Sequence, residues 1–303
     1  MSDLAIAILL AVLAGFAYAL ASVLQQRAAY GQDRELSLRW GLLGRLFRNP
    51  VWLVGGGVDV AAYVLEAASL GFGSIIVVQP LLVCGLLWAL PLATIGRPER
   101  VTMREWIPAI ALVAGLATFV SVGSPEGGRT DASILAWVLT AAGLSVPIVL
   151  AVIAARGAPP HRRALLLAFA AGCTYGMTAA LTKSTVALFD DGVLATFGHW
   201  QPYALLAVSA VGLLLNQSAF QAGHLAASLP AMAVTDPVVG CVIGVTLFGE
   251  GLGATGALAV GATIVSVVVM LVATISLARS PLVTHEEEEE RLRLEVEDGV
   301  GGV

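Results

Sequence analysis

The sequence predicts an all-α, polytopic membrane protein: nine transmembrane helices in an inverted repeat, with spans 1–4 answered by spans 6–9 and span 5 linking them. Three observations carry this. The 303 residues are 58% hydrophobic and 12% charged, with a mean hydropathy of +0.88, far outside the range of soluble globular domains. Apolar runs long enough to cross a bilayer, about 20 residues each, recur along almost the whole chain. Two pairs of distant segments also align with their order and spacing kept.

The runs fall at roughly 4–26, 51–72, 75–96, 106–122, 131–155, 164–188, 202–222, 225–248 and 254–277. Several are joined by only two to five residues (FGS near 73, GH at 223–224, GEGLG at 249–253), so those neighbours must be antiparallel hairpins. No connection is large enough for a soluble domain. Four regions follow: 1–130 as the first transmembrane repeat, 131–160 as the linking span, 161–278 as the second, inverted repeat, and 279–303 as an acidic tail. The first run follows MSD without a basic n-region or a cleavage site, so it is expected to be retained as a span.

Orientation follows from Arg and Lys in the short loops. Residues 27–50 hold Arg27, Arg34, Arg39, Arg45 and Arg48; residues 97–105 hold Arg97, Arg100 and Arg104; residues 156–163 hold Arg156, Arg162 and Arg163. The alternate loops hold only Arg129. This places the N-terminus outside and the C-terminus in the cytoplasm, in a multi-pass protein of the plasma (inner) membrane. Within the first loop, LSLRWGLLGRLFR alternates apolar and basic residues at helical spacing, as a surface-lying helix does. An ordinary solvated basic loop is the alternative. The tail, THEEEEERLRLEVEDGVGG, cannot bury enough apolar surface to fold alone. Eight acids lie in it (Glu286 to Glu290, Glu295, Glu297 and Asp298), so the net charge of −5 belongs to the tail and the neutral body offers no nucleic-acid footprint. Cys84, Cys173 and Cys241 sit in three different apolar runs and read as small buried hydrophobes.

The repeat appears when the chain is slid along itself. AGFAYALASVLQQR (14–27) lies over AGCTYGMTAALTKS (171–184), pairing Tyr18 with Tyr175 and Leu24 with Leu181. LEAASLGFGSIIVVQP (65–80) lies over LNQSAFQAGHLAASLP (215–230), pairing Glu66 with Asn216, Gly73 with Gly223 and Pro80 with Pro230. Corresponding spans are five crossings apart and must run in opposite directions. Inverted repeats of this kind build secondary transporters, whose site lies near the midplane between the repeats; they also occur in channels.

The polar residues at depth mark the candidate site. In DVAAYVLEAA (59–68), Asp59 and Glu66 are seven residues apart, about 20° around a helix and about 10 Å along it. Tyr63 falls between them on the same face. Each acid costs roughly 2.5–3.5 kcal/mol near a helix centre, so neither should face lipid. They either line a substrate or ion path or satisfy polar groups on neighbouring helices. The opposite repeat supplies Asn216, Gln217 and Gln221, which can serve a site or act as interhelical glue. Asp236 precedes Pro237 near the centre of span 8, with Pro230 upstream; this is either a broken helix with a carboxylate at the break or a plain proline kink. Gln79 and Pro80 are placed similarly in span 3. Lys183, the only lysine, either snorkels outward to Asp190 or Asp191 or acts as counter-ion to Glu66 or Asp236. Asp59, Glu66 and Asp236 would be the ligands if a metal cation were carried. No cofactor is called for. No phosphate loop, HExxH, metal-spaced Cys or His pair, or Gly-x-Ser-x-Gly occurs, and His161, His199, His224 and His285 are scattered, so an enzyme is not expected.

The strings LGFGSIIVVQPLLVCGLLWALPLA and HLAASLPAMAVTDPVVGCVIGVTLFGE, with span-ending acids at Glu99 and Glu250, resemble the EamA-like repeats of the drug/metabolite transporter superfamily. Within it the chain is most similar to NIPA-type proteins. Their first span likewise ends in polar and basic residues, here Gln25, Gln26 and Arg27, their second carries an acid before its end, here Glu66, and their eighth ends much like Thr246 to Glu250. The superfamily resemblance implies transport of small metabolites, and the NIPA-type one implies magnesium or another divalent cation. The nine spans and outside N-terminus depart from the ten-span EamA arrangement. The expectation is a secondary transporter of a small polar solute or cation, with the lipid bilayer as its surroundings and a homodimer compatible with it. A lipid flippase or a non-transporting scaffold is the rival from another class.

Overall fold

The computed structural model describes residues 3–29, 40–85, 87–88, 92, 103–123, 125–126, 128–222 and 225–278. The described residues are helical almost throughout. Its elements are α1 (Asp3–Ala29), α2 (Trp40–Leu46), α3 (Pro50–Phe72), α4 (Ile75–Leu82), α5 (Met103–Gly123), β1 (Pro125–Glu126), α6 (Ile134–Arg156), α7 (Pro160–Ala187), a 3₁₀ turn (Leu188–Asp191), α8 (Val193–Thr196), α9 (Gln201–Ala222), α10 (Leu225–Phe248), β2 (Gly251–Leu252) and α11 (Ala257–Ala278).

Eight of these helices, α1, α3, α5, α6, α7, α9, α10 and α11, are long and apolar enough to span a bilayer. The protein is therefore a helical polytopic membrane protein. Their outward faces are apolar as lipid requires: Ile134, Leu135, Val138 and Leu139 on α6, and Leu258, Ile264, Val265 and Val268 on α11, are all exposed. The expected third span, 75–96, is described as helix over α4 and again at residues 85, 87–88 and 92. A turn follows at Val83–Cys84, and most of residues 86–96 lie outside the described residues, as does the tail. The expected surface helix of the first loop is present over Trp40–Leu46, and the residues before it lie outside.

α7 is the axis of the bundle, packed by α3, α6, α9 and α10 and buried along most of its length. Its buried face is Ala168, Ala171, Gly172, Gly176, Ala179 and Ala180, small residues that let neighbouring backbones come close. A Cβ at Gly172 would lie 2.8 Å from Thr235 Cβ and 3.1 Å from the Asp236 nitrogen. α1 packs against α3, α4 and α9 in a related way. There a Cβ at Gly15 would lie 2.9 Å from the Leu82 carbonyl oxygen and 3.1 Å from the Gly85 nitrogen. α5 packs against α11, and α10 against α4.

α10 corrects the expectation of a broken helix. It runs unbroken from Leu225 to Phe248 through Pro230 and Pro237. Proline removes one N–H from the ladder but does not end a helix braced by its neighbours, and the close packing of α7 at Gly172 and Gly176 braces α10 at Thr235 to Gly240.

One end of the bundle is tied by backbone. β1 pairs antiparallel with β2, Pro125 opposite Leu252 and Glu126 opposite Gly251. Arg129 donates its N–H to the Phe248 carbonyl at 2.8 Å. A Cβ at Gly128 would lie 2.2 Å from that same oxygen, so only glycine fits there.

Candidate functional site

The polar side chains at depth form a column through the bundle. It begins on α3 near Trp52, whose indole donates to Gln217 Oε1 of α9 at 3.3 Å. Gln217 Nε2 donates to Gln25 Oε1 of α1 at 2.7 Å, and the Gln25 side chain is hydrogen-bonded to Asp59. Two turns further along α3, Glu66 is buried, accepting from Tyr18 Oη of α1 at 2.6 Å and from Gln79 Nε2 of α4 at 3.2 Å. Tyr63, between the two acids, lies 2.6 Å from Thr182 Oγ1 of α7. The Thr182 hydroxyl already donates to the Thr178 carbonyl, so Tyr63 is the donor.

The second half of the bundle contributes Tyr175, Asn216 and Asp236. Tyr175 of α7 is hydrogen-bonded to Asn216 of α9 and feels the charges of Asp59 and Asp236. Asp236 of α10 in turn feels the charge of Glu66. Gln79 joins the two acids spatially: its amide holds Glu66, and its Cγ would be 2.8 Å from a Cβ at Gly240, one turn along α10 from Asp236. Oxygen acceptors are left over. Gln79 Oε1, Asn216 Oδ1 and Asp236 Oδ1 are buried with no hydrogen-bond partner among the described residues.

Asp59, Tyr63, Glu66, Gln79, Asn216 and Asp236 thus belong to one connected region; Gln221 is buried on α9 one turn beyond Gln217. The expected metal set is not gathered into a cage. Among the described residues no three His, Cys, Asp or Glu side chains form a group that could hold a metal ion. Asp59 is held by Gln25, while Glu66 is held by Tyr18 and Gln79.

Lys183 is a counter-ion, though its partner is Glu250 rather than Glu66, Asp236, Asp190 or Asp191. It is 7% exposed, too deep to snorkel, and lies over the Phe248 ring, 5.3 Å from the centroid. The Glu250 carboxylate also accepts from the backbone N–H groups of Ile75 and Ile76 at 3.1 and 3.0 Å. It therefore caps the positive end of α4 while pairing with α7. Beside it, Asp131 Oδ1 accepts from Ser184 Oγ, Trp137 Nε1 and the Ala132 N–H at 2.7, 3.0 and 2.8 Å, and Asp131 Oδ2 accepts from Gln201 Nε2 at 3.0 Å. Partial burial acts to raise the Asp131 pKa, but these bonds outweigh it and hold the carboxyl below its ordinary value.

Sequence reasoning did not single out Tyr18, Tyr175 or Thr182 as site residues. The two tyrosines were nonetheless marked by the repeat, which pairs them with each other just as it pairs Glu66 with Asn216.

Along most of its length the chain is similar to an uncharacterised protein of Corynebacterium glutamicum, 29% identical over 286 residues that cover 91% of this chain and 95% of the relative. No family model and no solved structure matches the chain.

Proposed function

We propose that this protein is a secondary transporter of the drug/metabolite transporter type, moving a small polar solute or cation across the plasma membrane by alternating access. The observation that carries it is the meeting of Glu66 and Tyr18 from the first half with Asp236, Tyr175 and Asn216 from the second, inside a bundle whose surface is apolar. Intramembrane acids facing one another mark a substrate or ion path.

The inverted repeat belongs to the same proposal. Tyr18 hydrogen-bonds Glu66, and their counterparts Tyr175 and Asn216 hydrogen-bond each other. The close approach of Gly15 to Gly85 has its counterpart in that of Gly172 to Thr235, each pair set by the same alignment offsets. In the proposed orientation, N-terminus outside and C-terminus inside, the Lys183–Glu250 pair, the Asp131 cluster and the β1–β2 pairing all lie at the outer end and seal it. The ninth span is part of the proposal, with α4 as its described beginning. Transport rather than catalysis is the activity proposed.

A NIPA-like path for magnesium is the second reading, in which Asp59, Glu66 and Asp236 would act one after another along the column, since they form no metal-holding group among the described residues. The test is uptake by proteoliposomes holding the purified full-length protein, with magnesium and organic solutes tried in turn against Glu66→Gln and Asp59→Asn. Saturable uptake lost in the variants is expected. Uptake no greater than that of empty liposomes for every solute would leave the flippase or scaffold standing.

A further inference from the structure

We infer that the solute this core takes is a small organic ammonium ion, held between Glu66 and Asp236 with the phenols of Tyr18, Tyr63 and Tyr175 around it. This rests on the transport reading above and deepens it.

The first argument is a donor shortage. Around the two acids every donor whose partner is seen is already used: Tyr18 Oη and Gln79 Nε2 on Glu66, Tyr63 Oη on Thr182, and Lys183 on Glu250. Apart from the Tyr175 hydroxyl, whose oxygen takes its hydrogen bond from Asn216, what remains are acceptors. Asp236 Oδ1, Asn216 Oδ1 and Gln79 Oε1 have no partner, and Gln79 is only 1% exposed. Buried acceptors of this kind call for N–H groups, and an ammonium brings up to three together with the positive charge that the carboxylates lack.

The second argument is placement. Gln79 stands between the acids, its amide nitrogen on Glu66 and its stem against Gly240, one turn from Asp236. Its unpartnered oxygen therefore sits on the side chain that bridges the two helices carrying the acids. Among the described residues no lysine or arginine forms an ion pair with Asp59, Glu66 or Asp236. The third argument is the rings. Tyr18 donates to Glu66, Tyr63 stands between Asp59 and Glu66 on α3, and Tyr175 is hydrogen-bonded to Asn216, and phenol rings attract organic cations. A divalent metal, by contrast, wants six or more oxygens free of competing donors, whereas both Glu66 oxygens already accept hydrogen bonds.

The experiment is thermal unfolding of the full-length protein in detergent, titrated with ethylammonium chloride, sodium chloride or magnesium chloride at equal ionic strength, alongside proteoliposome uptake of labelled ethylammonium. A saturable rise in Tm with ethylammonium alone is expected. Asp236→Asn and Glu66→Gln should weaken its apparent affinity by about tenfold each. Asn216→Asp, which adds a carboxylate where an acceptor stands, should strengthen it by about tenfold, so the inference stays testable should a loss variant fail to fold. A rise with magnesium and none with ethylammonium, or a rise with neither, would overturn it. Stabilisation by ethylammonium without uptake would keep the binding site and remove the transport reading, while uptake of another solute without that stabilisation would do the reverse.

Discussion

Lys183 and Glu250 form a buried ion pair. With side-chain exposures of 8% and 0%, removing one partner leaves an uncompensated buried charge, which costs about 3–5 kcal/mol. Lys183→Met should lower the unfolding free energy by about that much, and Lys183→Met with Glu250→Gln should recover most of it; denaturant unfolding in detergent followed by tryptophan fluorescence measures both. Asp131 makes a pH prediction. Its carboxyl is held below the ordinary value near 3.8, so its stabilisation is complete above that pH and is lost as pH falls through the lower folded value. Asp131→Asn should therefore lower stability near neutrality and flatten the acid limb of the profile, the variant and wild type converging at low pH. Glu66, Asp59 and Asp236 were legible in the sequence because an acid in an apolar run is conspicuous. Glu250 was visible only as the end of a span, since its partners Ile75, Ile76 and Lys183 lie far away in the chain.

At the scale of elements, helices touch where glycine lets them. Gly172→Val would place a side chain where Thr235 and the Asp236 backbone already stand, and overpacking of this kind costs about 1–3 kcal/mol or more when backbone must move. Gly143, with nothing within 4 Å of its Cβ position, provides the control: Gly143→Val should leave the amount of monodisperse protein after purification unchanged, while Gly172→Val should reduce it. Eight of the nine expected helices match described ones within a few residues because apolar length reports a membrane span directly. The continuity of α10 was not legible, because Pro230 and Pro237 signal a break locally while the bracing by α7 is a tertiary fact. The interruption after Leu82 was legible, since Pro80 is placed in span 3 as Pro237 is in span 8.

For the whole molecule, the central claim is that the polar column opens to one side of the membrane at a time. The β1–β2 pairing offers a lock, since Glu126 and Gly251 are cross-strand partners. The measurement is labelling of Tyr63→Cys by a membrane-impermeant maleimide, from intact cells and from inverted vesicles. The protein would lack Cys84, Cys173 and Cys241 and would carry a Glu126→Cys, Gly251→Cys disulfide that is either formed or reduced. Labelling at position 63, read by peptide mass spectrometry so that the two lock thiols are not counted, from both sides when the disulfide is reduced and from inverted vesicles alone when it is formed, is the predicted result. Labelling from neither side, or from both sides with the disulfide intact, would contradict it.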